Sequence, residues 1–221
     1  AVPIAISTGS TFQMARASFF NNTNLGDISA GVHISDVEVV EIRESHWNIS
    51  SAQSAGSVLA WRIGNIVFRD SSISISYASG AQAGGALLSA SYVTVDNLTM
   101  TLNTAPMAGC LQVSAWDLTI TNSRFSQCLA IQGNGGALSV IVPPSGPLGS
   151  FQDSAIARIS HTTFHSNWAS NGAAITINAD NDKRLHRIIL DNVTATENCA
   201  ITPTGCNRAT SILSGRPEPI P

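Results

Sequence analysis

Apolar and polar residues follow one short pattern that recurs seven times along this chain. Each copy opens with two apolar residues spaced by one and continues to a bulky anchor. A polar corner, a small residue and a glycine follow. The anchors are Phe19, Trp47, Ile73, Met100, Phe125, Phe164 and Ala195, separated by 28, 26, 27, 25, 39 and 31 residues. Seven residues before them stand Phe12, Val40, Ile66, Val93, Leu118, Ala157 and Ile188; five before stand Met14, Ile42, Phe68, Val95, Ile120, Ile159 and Leu190. Apolar residues at a spacing of two, with mostly polar residues between, predict a strand with one buried face. A unit this small cannot bury its own apolar face, so the copies must stack.

A second short strand is predicted after each glycine turn: Val58-Leu59-Ala60, Leu87-Leu88-Ser89, Leu111-Gln112-Val113, Leu138-Ser139-Val140 and Ile175-Thr176-Ile177. Two polar columns flank the anchors. Arg16, Glu44, Asp70, Asn97, Asn122, His161 and Asn192 lie three residues before, and Asn22, Ser50, Ser76, Asn103, Cys128, Asn167 and Asn198 three after. Both are expected at corners, where Asn caps backbone groups that the turn leaves unpaired. Helix is excluded by the period of two, the Val, Ile and Thr content, and the Gly or Asn in every coil. The chain therefore reads as an all-β, single-stranded parallel solenoid of about seven coils over residues 1–206. Residues 207–221 read as a Pro-containing tail or linker. An ordinary β-sandwich is the remaining alternative.

Phe-x-x-Asn followed by Gly-Gly-Ala-aliphatic resembles the repeat of the polymorphic outer membrane proteins. Phe19 to Asn22 and Phe164 to Asn167 carry the first half, with Met100 to Asn103 and Phe125 to Cys128 as degenerate copies. Gly84 to Leu87, Gly135 to Leu138 and Gly172 to Ile175 carry the second. Trp47, Ile73 and Ala195 depart from the Phe, and no segment reads as an outer-membrane barrel, so autotransport does not carry over. The resemblance implies a right-handed parallel β-helix in a secreted or surface-displayed protein used in adhesion.

Composition narrows the functional classes. The 221 residues are 43% hydrophobic and only 11% charged, with a net charge of -3. That balance argues against a nucleic-acid footprint or a basic membrane patch, and no apolar run reaches a membrane span. The start without Met and the Pro-rich end suggest a mature or excised piece.

Of the four cysteines, Cys199 and Cys206 flank Pro203-Thr204-Gly205, a corner able to bring them into bridging range. Cys110 and Cys128 occupy inward positions of successive coils and are the second candidate pair. Free buried thiols are the plain alternative. No zinc template fits the spacings. Asn-x-Ser/Thr sequons stand at Asn21, Asn48, Asn97 and Asn192. Asn97 and Asn192 fall in the corner column taken as inward, so glycans are expected on Asn21 and Asn48 if the chain travels a eukaryotic secretory route.

Polysaccharide-cleaving β-helices need outward carboxylates converging from neighbouring coils. The outward columns hold no such pair, and Asp96 beside Arg69 reads as an inter-coil charge pair. Asn178 to Arg184 is the one acidic cluster. It reads as a loop, with calcium as a weak alternative because the glycine and terminal Glu of an EF-hand loop are missing. No cofactor is expected. Two insertions lengthen successive coils at the same position and should emerge side by side. Their Pro143, Pro144, Phe151, Asp153, Asp180, Asp182, Lys183 and Arg184 form the expected partner-binding patch. The sequence thus points to a non-catalytic structural or adhesive module at an extracellular or cell-surface location. Its expected partners are other protein chains of an assembly or host and cell-surface glycans, with no nucleic acid. The alternative is a polysaccharide-binding or polysaccharide-cleaving β-helix.

Overall fold

The computed structural model describes residues 4–24, 29–80, 82–133, 135–142, 155–179, 187–202, 205–207 and 212–215. Every regular element among them is a strand, and the strands build one parallel β-solenoid of about six turns. The register reproduces the sequence columns. Phe12 pairs with Val40, Val40 with Ile66, Ile66 with Val93, Val93 with Leu118, Leu118 with Ala157 and Ala157 with Ile188. The anchors pair in the same order from Phe19 through Ala195.

Alternation explains the strands. Across Tyr92–Asp96, Val93 and Val95 are buried while Tyr92, Thr94 and Asp96 keep contact with solvent. The interior is closed by Trp47, Phe68, Phe125 and Phe164, all buried. Phe125 stacks on Phe164 at 5.2 Å and Phe19 on Trp47 at 5.3 Å, while Trp47 meets Phe68 edge-on at 5.8 Å. Burying one such ring contributes about 1.5–3 kcal/mol, and the ring pair adds up to about 1.5 kcal/mol. The expected burial of whole columns fails at the ends. Phe12 is only partly buried, and Ile188 and Leu190 are 38% and 43% exposed, because no further described strand stacks on the last rung.

One strand expected from the sequence is displaced by a residue. Val58 pairs with Ala86 rather than Leu87, and Ala86 with Leu111, so the equivalent positions in this coil are Ala86-Leu87-Leu88, at the start of the strand Ala86–Thr101 that also holds the expected Leu87-Leu88-Ser89. The glycines set this register. A Cβ on Gly56, Gly84 or Gly109 would strike the carbonyl oxygen of Gly84, Gly109 or Gly136 respectively. The turns therefore stack glycine on glycine, and the residue two positions on is the one that points inward.

Cys199–Thr202 pairs antiparallel with Gly205–Asn207, the one reversal among the described strands. Ile212–Gly215, within the stretch read as a tail, adds a parallel strand against Ile175–Asn178. No described helix is long and apolar enough to cross a membrane.

Candidate functional site

Two corners in every coil determine what the solenoid shows to solvent. At the first, the residue three before the anchor is left-handed in all seven repeats: Arg16, Glu44, Asp70, Asn97, Asn122, His161 and Asn192 have φ between 49° and 56°. This column was expected to face inward and cap the backbone. Instead, Arg16, Asp70, Asn97, Asn122, His161 and Asn192 are exposed. The left-handed turn swings the side chain out and points the next residue in. The caps are accordingly hydroxyls one position later. Ser45 Oγ donates to the carbonyl of Arg43 (2.8 Å) and accepts from the backbone N–H of Ala17 (3.3 Å). Ser71, Ser123 and Thr162 make the same bond to the carbonyl two residues back.

The outward residues of this corner pair from coil to coil. Arg16 meets Glu44 at 2.7 Å, and Asn97 Nδ2 donates to Asp70 at 2.9 Å. Arg69 faces Asp96 on the neighbouring coil as expected and its charge favours the carboxylate, but its direct ion pair is with Glu41, at 2.6 Å. Asp96 accepts from the Thr121 hydroxyl (2.6 Å) and the Asn122 amide (2.8 Å). These bonds, Thr121 first, hold the Asp96 carboxyl below the ordinary aspartate range.

At the second corner, Asn21, Ile49, Ile75, Leu102, Gln127, Ser166 and Glu197 are left-handed, with φ from 52° to 57°. At three of these corners the following residue is an Asn that caps the coil before it: Asn103, Asn167 and Asn198. Asn103 Oδ1 accepts the N–H of Ser76 (2.9 Å), and its Nδ2 donates to the carbonyl of Ile73 (3.1 Å). Ile49, Ile75 and Leu102 are unexpected occupants. The left-handed region disfavours β-branched and bulky side chains, yet these are 40%, 48% and 49% exposed.

The outward ridge from this corner and the ridge two residues further on enclose a groove of about 550 Å³. Leu102, Gln127, Ser166 and Glu197 line one side, Thr104, Leu129 and Trp168 the other, and Cys128 lies beneath. Residues on each side are equivalent positions in successive coils, so the groove follows the solenoid axis. Trp168 is 49% exposed. Ser166 Oγ donates to Glu197 Oε2 at 3.0 Å and lies 3.1 Å from His165 Nε2, and that nitrogen is 3.6 Å from Glu197. His165 Nδ1 faces the Thr196 hydroxyl at 3.0 Å. This is not the geometry of an activated serine: the hydroxyl proton goes to the carboxylate, and no acid orients the far ring nitrogen.

Of the residues singled out from sequence, Cys110 and Cys128 form a disulfide, with Cα atoms 5.4 Å apart. Cys199 is also disulfide-bonded; the side chain of Cys206, its expected partner, lies outside the described residues. Asn21 is exposed and Asn48 half-buried. Asn97 and Asn192, expected inward, are exposed, for the reason given by the first corner. Pro143, Pro144, Phe151, Asp153, Asp180, Asp182, Lys183 and Arg184, and with them residues 180–184 of the calcium-loop alternative, lie outside the described residues, while Asn178 and Ala179 end the strand Ile175–Ala179. Among those described, no group of three or more His, Cys, Asp or Glu could hold a metal. The groove was missed from sequence. Its available signal was Ile49, Ile75 and Leu102 standing at corner positions where Asn or Gly fits better.

No family model matches this chain, and no curated protein or solved structure does either.

Proposed function

We propose that this chain is a non-catalytic structural and adhesive module of an extracellular or cell-surface assembly, working without a cofactor. The state of six of the nine described carboxylates carries that reading. Glu41, Glu44, Asp36 and Asp117 are each bridged to an arginine of a neighbouring coil, at 2.6, 2.7, 2.6 and 2.8 Å. Asp70 and Asp96 accept bonds from neighbouring amides and hydroxyls. Glycoside cleavage needs two carboxyl groups free to act as acid and as base or nucleophile. Acids that tie one coil to the next serve the rod instead. The Cys110–Cys128 disulfide is in keeping with an oxidising location, and the pattern resemblance to the polymorphic outer membrane protein repeat points the same way.

A second reading, polysaccharide binding, is favoured by the half-exposed Trp168 beside Glu197. Beads coated with the purified chain test the first. They should be retained on cell or matrix surfaces above albumin-coated beads, and the chain should release no reducing ends from pectin, xylan or chitin. Retention no better than albumin, or turnover of any of the three, overturns it.

A further inference from the structure

We propose that the second-corner groove is a binding site for an extended, neutral, β-1,4-linked saccharide chain, with Trp168 as the stacking platform and Glu197, Ser166 and Gln127 as hydroxyl partners. The inference rests on the adhesive reading above and names the ligand class of one face.

Shape comes first. Equivalent side chains repeat along the groove at the coil step, about 4.8 Å, which is close to one pyranose ring of an extended β-1,4 chain. From Leu102 to Glu197 the groove spans three such steps, about 14 Å. A linear polymer fits this form, whereas a compact ligand does not.

The backbone removes the main rival, an added peptide strand. Along one wall the N–H groups of Leu102, Gln127 and Ser166 bond to the carbonyls of Ser126, His165 and Thr196 at 3.0–3.1 Å. On the other side, Leu129 bonds to Asn103 and Trp168 to Cys128, at 2.9 and 2.8 Å. Strand addition works through unpaired main-chain groups, and these donors are used between coils. A ligand must therefore be read through side chains.

Those side chains are an indole face, an amide, hydroxyls and one carboxylate. An indole presents an apolar, polarisable face to the C–H surface of a sugar ring. The amide and hydroxyls both donate and accept, as sugar hydroxyls require. Glu197 accepts the Ser166 hydroxyl and has the His165 ring 3.6 Å away, so its carboxylate is held in place. One carboxylate among neutral groups disfavours an anionic chain and suits a neutral one. The same corner continues as Ile75 and Tyr77, 48% and 43% exposed, with Ile75 held at φ 54°. Strained, exposed apolar residues that persist at one corner point to use of that surface.

The full chain is titrated with cellohexaose, chitohexaose and mannohexaose by calorimetry. Binding of at least one is expected, with Trp168→Ala weakening it tenfold or more at unchanged melting temperature. Trp61→Ala, which removes a similarly exposed Trp outside the groove, should leave affinity unchanged. Glu197→Gln should weaken binding only a few-fold. Absence of binding by all three at millimolar concentration overturns the proposal, as does equal binding by Trp168→Ala. Binding of hexalysine that Glu197→Gln abolishes, without oligosaccharide binding, would make the groove a cation site and also overturns it. Failure here alongside retention of coated beads removes the saccharide and leaves the adhesive module standing.

Discussion

Asn198 receives two hydrogen bonds from Asn167 on its Oδ1, one from the backbone N–H at 3.0 Å and one from the side-chain amide at 2.8 Å. Its own Nδ2 donates to the carbonyl of Phe164 at 2.9 Å. Asn167 does the same for the preceding coil, accepting from the Cys128 N–H and donating to the Phe125 carbonyl, at 3.0 and 3.1 Å. Where Asn stands at this position, as in Asn103, Asn167 and Asn198, a coil thus closes the corner of the one before it. A corner becomes fully hydrogen-bonded only when the next coil has stacked, which couples neighbouring coils in stability.

Asn167→Ala should therefore be costly. It leaves the buried Cys128 N–H and Phe125 carbonyl without a partner, at about 1–3 kcal/mol for an unsatisfied group. Urea denaturation should show a loss of about 3 kcal/mol. A loss below about 0.5 kcal/mol would show that the ladder is not a stabilising device.

The glycine stack is tested by Gly84→Ala. The added Cβ would run into the carbonyl oxygen of Gly109 and lie 2.6 Å from the nitrogen of Thr104. Backbone held in a ladder gives way poorly, so a loss of about 1–3 kcal/mol is expected. Gly9→Ala meets nothing within 4 Å and should fall within about 0.5 kcal/mol of the parent in the same experiment.

Removing the Cys110–Cys128 disulfide by double substitution with Ala releases a loop with a sequence separation of 18. The chain-entropy relation gives a loss of about 3 kcal/mol. Thermal melts of the double variant should show a clear fall, and an unchanged melting temperature would mean that the link adds nothing to the stacked coils.

Ile75→Asn should stabilise. Ile75 holds φ 54° while 48% exposed, so it bears strain and gives little burial in return. Asn tolerates that conformation, and relief of about 1 kcal/mol is expected in denaturant titrations. Loss of stability instead would show that the exposed part of Ile75 packs more usefully than its backbone strain costs.

Acid should weaken the first corner through Asp96. Its folded pKa is lowered, chiefly by the Thr121 hydroxyl and then by the Asn122 amide. A lowered carboxylate contributes stability fully above its unfolded value, about 3.9, and loses it as pH falls through the folded value. Melting temperatures of Asp96→Asn and the parent should therefore converge as the pH drops below about 4. A constant gap between them would exclude the linkage.

Much of the fold was legible because a solenoid repeats its instructions. Phe68, Val95 and Ile120 share a column by spacing alone, and the structure pairs them in that order. Cys110 and Cys128 stood only as the second candidate pair, with free thiols as the alternative, and the bond is there. The direction of the corners was not legible. Asn97 and Asn103 are both Asn near an anchor, yet one is exposed and the other buried. Both corners are left-handed turns, but in the first the left-handed residue is itself the polar column, while in the second it precedes that column. Identity alone does not distinguish those frames.

Residue order along the chain thus determined which side chains stack, since a period near the coil length places equivalent residues one above another whatever the corners do. Only the tertiary structure decided which polar residues cap and which face water, because a single left-handed φ reverses a side chain without changing the spacing. It also decided the groove. Leu102, Gln127, Ser166 and Glu197 are far apart in sequence, and they line one side only because four successive coils turn at the same point.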